Sequence, residues 1–137
     1  MAETVEFELV SPEKLLVSEA VEMVVVPGAE GDFGVLSGHS STVSSIRPGV
    51  LAVFENGAVT SRVFVSGGFA EVTPQRCTVL ADEAVPLDDL DRSRLEQSIV
   101  DLREDVTTAR DDAEKQATEK ALAIAEAKIA ALDSTIY

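Results

Sequence analysis

Apolar and polar positions alternate through the first 81 residues. Val5, Phe7 and Leu9 are separated by Glu6 and Glu8, and Val21, Met23 and Val25 bracket Glu22. That is the period of a half-buried strand. Pro27-Gly28 closes the second run, as a turn signal does. Two further apolar runs, 49–54 and 59–65, flank Glu55-Asn56-Gly57. Asn-Gly in that position predicts a hairpin, because both residues tolerate positive φ. Residues 69–72 and 77–80 form another pair around Thr73-Pro74-Gln75-Arg76. Strands recur about every ten residues with no helical segment between them, which predicts an antiparallel sandwich or flattened barrel.

The pattern changes at Asp88, beyond which there is no Gly and no Pro. Leu95, Ile99, Leu102 and Val106 follow helical spacing, and so do Ala113, Ala117, Ala121, Leu122, Ile124, Ala125, Ile129 and Leu132. Lys115 and Glu119 stand four apart on the wet face. Between the stripes, Asp111 and Glu114 have the spacing of an N-cap and its capping-box partner. These signals predict an antiparallel helical hairpin over 88–137 with a break near 107–112, small alanines facing small alanines. One continuous helix is the alternative. Residues 82–87 read as a hinge after a first domain of residues 1–87. Two short helices hold no core of their own, so the tail is either a movable element or a permanently docked one.

Bulk properties narrow the partners. The 137 residues suffice for one domain, or a small domain with an appendage, and 45% apolar content supports a core. The formal charge of −14, from 25 acids against 11 bases, disfavours nucleic acid and anionic lipid and favours basic protein surfaces. The N-terminus lacks the basic and apolar regions of a signal peptide, and no apolar run approaches about 18 residues, so no direct membrane insertion is expected. One cysteine, Cys77, forms no internal disulfide and fits a reducing compartment. With no Trp and a single Tyr, the sequence offers no aromatic stacking platform.

The chemically suggestive stretch is residues 28–39, GAEGDFGVLSGH, which holds four glycines, two acids and the only histidine. A phosphate cradle needs GxxxxGK[ST] or GxGxxG. Here the spacing begins GxxGxxG, no lysine follows, and two carboxylates would meet the phosphate. The glycines read instead as turn formers between strands. Cys77 opens an apolar strand, where a free thiol packs as a small hydrophobe. His39 lies in a Gly/Ser-rich loop, with no nucleophile–base constellation around it. One His and one Cys without a calcium-loop pattern make no metal site. What remains is an interaction protein, a subunit or adaptor rather than an enzyme.

Taken together, three motifs carry a resemblance. Val26-Pro-Gly-Ala-Glu-Gly-Asp-Phe-Gly-Val-Leu-Ser-Gly-His39, Ile46-Arg-Pro-Gly49 and Val65-Ser-Gly-Gly-Phe-Ala-Glu-Val72 occur in that order, followed by Val79-Leu-Ala-Asp82 and Leu90-Asp91. The chain from Val5 onward resembles the epsilon subunits of F-type ATP synthases, and also their mitochondrial counterpart, called delta. The resemblance implies a ten-stranded antiparallel β-sandwich followed by a helical hairpin. It implies a non-catalytic central-stalk subunit that binds gamma and the c-ring and couples proton-driven rotation to ATP synthesis. In many bacterial members the helices extend along gamma, reach the alpha and beta subunits and block ATP hydrolysis. The implied location is peripheral, on the cytoplasmic side of a bacterial inner membrane.

Position by position, the resemblance places Glu30, Gly31 and Asp32 against the polar loops of the c-ring, with Asp32 facing an arginine there. It brings His39 into the same contact, although Ser41 stands where the family usually has proline, which puts the rigidity of that loop in doubt. Ser66, Gly67 and Gly68 match a tight turn near the gamma-facing surface. Some members bind ATP through (Ile/Leu)-Asp-x-x-Arg-Ala at the first helix. Asp91 and Arg94 fit that motif, but Leu95 replaces the alanine, and a capping role for Asp91 competes with nucleotide binding. The tail carries thirteen acids against seven bases. Family inhibition engages an acidic segment of beta, so weak inhibition of ATP hydrolysis, or none, is expected.

Overall fold

The structure is a computed structural model, and it describes residues 3–134. The chain divides after Pro86 into two compact units, each described by itself.

The first unit is built of β1 (Val5–Val10), β2 (Leu15–Val21), β3 (Met23–Gly28), β4 (Gly31–Leu36), β5 (Thr42–Ser45), β6 (Gly49–Glu55), β7 (Ala58–Val72) and β8 (Arg76–Pro86). They form one hydrogen-bonded sheet in the order β2-β1-β8-β7-β6-β3-β4, with β5 paired to β7 off that path. The sheet folds over on itself as a sandwich. Inward residues from its distant parts meet in a single core, among them Val5, Phe7 and Leu9 of β1, Val24 and Val26 of β3, Leu51 and Val53 of β6, and Val79 of β8. Period-two alternation puts these side chains on one face of each strand.

Three sequence-based expectations are corrected. Among the described residues the sandwich has eight strands, not ten. β7 and β8 are long enough, at 15 and 11 residues, to run through stretches that the sequence pattern divides. The sheet is also not wholly antiparallel, since β1 pairs with β8 in parallel, Phe7 opposite Cys77 and Leu9 opposite Val79. Finally, residues 82–86 are not a hinge. They continue β8, with Glu83 opposite Ser66 and Pro86 opposite Val63.

The reason β7 runs through its two central glycines is local. Gly68 has φ +104, and a Cβ there would lie 1.9 Å from the carbonyl oxygen of Leu80. Only glycine lets β7 and β8 stay in register past that point. At the other end of β7, Asn56 and Gly57 adopt φ 53 and 76, the doubly left-handed turn that the dipeptide favours.

The second unit holds a 3-10 turn (Leu87–Asp89), α1 (Arg92–Thr108) and α2 (Asp112–Asp133). Asp91 caps α1, its carboxylate accepting from the Arg94 amide at 3.2 Å, and Asp111 caps α2 through the Glu114 amide at 2.8 Å. α1 turns Leu95, Ile99, Leu102 and Val106 to its half-buried side. The expected alanine-on-alanine seam is corrected: α1 contains no alanine, and Ala113, Ala117 and Ala121 are exposed. The covered side of α2 instead runs through Thr118, Leu122, Ala125, Ile129 and Leu132. The sequence pattern includes Leu122, Ala125, Ile129 and Leu132 but not Thr118, which is polar, and it adds the exposed alanines because alanine suits either face of a helix. At the open end of the hairpin the Arg92 guanidinium meets the Asp133 carboxylate at 2.5 Å.

Candidate functional site: an acidic turn, a cleft and an apolar row

The stretch 28–39 forms a tight turn, an edge strand and a second turn. β3 and β4 pair from Met23 opposite Leu36 to Gly28 opposite Gly31. Ala29 and Glu30 lie at the tip between them. A Cβ on Gly28 would meet the Gly31 carbonyl oxygen at 2.8 Å and the Phe33 ring at 2.9 Å, so the turn closes tightly only on glycine.

This turn is tied to the segment that joins β5 and β6. The Ala29 amide donates to the Ser45 carbonyl at 2.8 Å, and the Arg47 amide to the Pro27 carbonyl at 3.0 Å. The Arg47 side chain then reaches back across the turn. Nη1 donates to the Gly28 carbonyl and Nη2 to Asp32 Oδ1, each at 2.5 Å. Asp32 thus pairs with an arginine of its own chain. Ser45–Arg47 also touches the second group of expected contact residues, since the Ile46 amide donates to the Gly68 carbonyl at 3.0 Å.

His39 sits beside the turn, its ring tilted 40° to that of Phe33 with centroids 6.4 Å apart. Its backbone amide donates to the Leu36 carbonyl at 3.2 Å, and Nδ1 lies 2.7 Å from the Ser40 carbonyl. Glu30, Phe33, His39, Thr42 and Ser44 border one cleft of about 580 Å3. Among the described residues the Glu30 side chain has no ion pair or hydrogen bond.

Of the second group, Ser66 is buried, with its hydroxyl 3.4 Å from Glu83 Oε1, and Gly67 and Gly68 are half-buried. The surface beside them belongs to residues that sequence reasoning did not single out. Phe69 stands opposite Leu80, Leu80 opposite Val10, and Val10 opposite Leu15, so the register lays four apolar side chains in a row across β7, β8, β1 and β2. Phe69, Leu80 and Leu15 are 56%, 50% and 55% exposed. The available signal was Leu80, an apolar residue on the outward face of β8 between inward Val79 and Ala81, where a water-facing strand would carry a polar one.

The tail residues do not converge. Asp91 spends its carboxylate on the α1 cap, while the Arg94 side chain is 89% exposed with its Nε 3.7 Å from Asp91. Cys77 is fully buried, and burial pushes its thiol up to about 12. A thiol held neutral is a poor nucleophile. Among the described residues no helix is long and apolar enough to cross a membrane.

Comparison with known proteins defines the class. Residues 4–87 match the family described as ATP synthase, Delta/Epsilon chain, beta-sandwich domain, and residues 91–137 match the C-terminal domain of the ATP synthase epsilon chain. A relative from Rhodospirillum centenum, named ATP synthase epsilon chain, is 54% identical over 134 residues, covering 94% of this chain and 92% of its own. A second, from Rhodospirillum rubrum with the same name, is 53% identical over 131 residues, covering 96% and 98%. The chain belongs to the ATP synthase epsilon chain family, whose members are stalk subunits and not the catalytic ones.

Among solved structures it is similar to a chain of the Euglena gracilis mitochondrial ATP synthase, determined as OSCP/F1/c-ring, with TM-score 0.82 and 32% identity over 94% of this chain and 81% of that one. A chain of the Tetrahymena thermophila central stalk/c-ring assembly shares the fold, with TM-score 0.67 and 12% identity, covering 93% and 95%.

Proposed function

We propose that this chain is a rotor subunit of a proton-translocating F-type ATP synthase, peripheral to a bacterial inner membrane on its cytoplasmic side. It links gamma to the c-ring and passes ring rotation toward ATP synthesis, with no chemistry of its own. The observation that carries this reading is a sandwich with two different contact surfaces held by one segment. Ser45–Arg47 bonds the acidic turn on one side and Gly68, next to the apolar row, on the other. A rigid block with a polar end and an apolar flank suits a coupling element between two partners. The turn with Glu30, Gly31, Asp32 and His39 meets the ring, and the flank beside Ser66, Gly67 and Gly68, with Phe69 and Leu80, meets gamma. An apolar row rimmed by polar residues marks a protein-binding surface more often than a free one.

The other reading, an ATP-sensing module acting through the helices, lacks comparable support, because Asp91 serves as a cap and Leu95 occupies the position of the motif alanine. The experiment is co-purification of the tagged protein from its own cells. It is expected to recover gamma, the c-ring and the alpha and beta subunits. Leu80→Glu is expected to lose gamma while the sandwich stays folded. Failure to recover gamma or the c-ring with the unaltered protein overturns the reading.

A further inference from the structure

The hairpin turn between β6 and β7 carries a reactive pair. Asn56 is the only asparagine of the chain, and Gly57 follows it. Both are exposed, and the Asn56 side-chain amide has no hydrogen bond among the described residues. An asparagine directly before glycine is chemically labile, because no Cβ hinders approach of the glycine nitrogen to the side-chain carbonyl. That nitrogen attacks once it has lost its proton. Attack forms the N–Cγ bond of a five-membered succinimide, and the bond from Cγ to the side-chain nitrogen breaks to release ammonia. Water then opens the ring at either carbonyl, leaving aspartate or isoaspartate. The sum is asparagine plus water giving the acid plus ammonia, with nothing oxidised or reduced.

The fold sets a distant residue on the attacking atom. The Gly57 amide donates to Glu22 Oε1 at 3.2 Å, across 35 positions of sequence. Glu22 is half-buried between β2 and β3, and its own amide donates to the Phe54 carbonyl at 3.2 Å. The backbone of β6 therefore holds this carboxylate beside the turn. Two effects then act in the same direction. An accepted hydrogen bond stabilises the protonated form of the Gly57 nitrogen. A negative charge beside that nitrogen opposes the second negative charge that deprotonation would create. We propose that Asn56 is a site of spontaneous deamidation and that Glu22 guards it, by keeping the proton on the nitrogen that would attack. Isoaspartate would add a backbone carbon inside a two-residue turn, so the pairing of Glu55 with Ala58 would not survive it. A converted chain thus marks a turn that has parted from Glu22. The inference is independent of the partners proposed above.

The test follows the full-length protein through incubation in mildly alkaline buffer at physiological temperature. Mass spectrometry of the fragment holding Asn56 counts the change from amide to acid, and an isoaspartyl methyltransferase counts the isoaspartate. Glu22→Gln keeps an acceptor and removes the charge, whereas Glu22→Ala removes both. Conversion is expected to accelerate about threefold in Glu22→Gln and about tenfold in Glu22→Ala, the effect of losing one hydrogen bond to a charged group. The unaltered chain, unfolded in guanidinium chloride, should convert at least as fast as Glu22→Ala. Val79→Ala loosens the core away from the turn and should leave the rate within about twofold, because the turn opens locally. Glu22→Gln is nearly isosteric, so it decides the matter even where Glu22→Ala fails to fold. Unchanged or slower conversion in Glu22→Gln overturns the proposal. So does equal acceleration by Val79→Ala, or a folded protein that converts as fast as the unfolded chain. Absence of conversion in the unfolded chain overturns the site itself.

Discussion

Arg47 lies fifteen positions from Asp32 in the sequence, and its guanidinium spans the β3–β4 turn to hold the Asp32 carboxylate at 2.5 Å while also donating to the Gly28 carbonyl. One side chain thereby fixes both sides of the turn whose tip is Glu30. The ion pair itself is partly solvated, with 42% and 31% of the two side chains exposed, and pairs of that kind contribute about 0–1 kcal/mol. Asp32→Asn is therefore expected to cost less than about 1 kcal/mol in urea denaturation. Arg47→Ala also removes the part-buried bond to the Gly28 carbonyl and is expected to cost about 1–2 kcal/mol. Equal costs for the two variants would show that the Gly28 bond carries nothing.

Gly68 is expected to be the least replaceable residue of the sandwich. A Cβ there would sit 1.9 Å from the Leu80 carbonyl oxygen at φ +104, so Gly68→Ala must break the β7–β8 ladder or shift it. A loss above about 3 kcal/mol is expected, in the range of backbone strain combined with overpacking. Gly57→Ala meets nothing within 4 Å and has only its positive φ to accommodate, at about 1–2 kcal/mol. Thermal unfolding followed by circular dichroism ranks the two.

Cys77 is expected to resist alkylation in the folded protein and to react once urea unfolds it. Its pH effect has a definite sign. The folded thiol keeps its proton to about 12, whereas the unfolded thiol ionises near its ordinary value of 9.0. The unfolded state therefore binds fewer protons between those values, and stability falls as pH rises through that window. Cys77→Ala should flatten that part of the pH–stability curve.

The helix caps make a separable prediction. Asp111→Ala removes the acceptor of the Glu114 amide at 2.8 Å and is expected to cost the tail about 1 kcal/mol. Asp91→Ala, with the longer bond of 3.2 Å, should cost no more. Far-ultraviolet circular dichroism through a thermal melt measures both. If Asp91→Ala leaves helicity unchanged yet alters a response to added ATP, the capping account of Asp91 fails.

The net negative charge of the tail bears on regulation. With thirteen acids against seven bases from Asp88 onward, contact with an acidic surface is unfavourable. Deletion of residues 88–137 is expected to leave the ATPase rate of the reconstituted synthase within about twofold, a change worth less than about half a kcal/mol. A several-fold rise would show that the tail inhibits.

How much was legible in the sequence depends on the range of the interaction that carried each feature. Period-two alternation at Val5, Phe7 and Leu9, the Asn56-Gly57 turn and the caps at Asp91 and Asp111 are local, so neighbouring residues specify them and residue order alone revealed them. The glycine motifs likewise identified the family, because turn geometry restricts residue type at fixed spacing. The parallel pairing of β1 with β8 was not legible, since either direction of pairing satisfies the same alternation. The covered side of α2 was legible at Leu122, Ala125, Ile129 and Leu132 but not at Thr118 or the N-terminal alanines, since alanine suits both faces. Asp32 and Arg47 were both visible as charges, but only the fold brings residues fifteen apart within hydrogen-bonding distance. The sequence by itself determined the elements and the acidic, glycine-built turn. Tertiary structure decided which carboxylate is already bound, which is left at the cleft, and that Leu15, Val10, Leu80 and Phe69 form one row. Register is a property of strand pairing, and no single strand contains it.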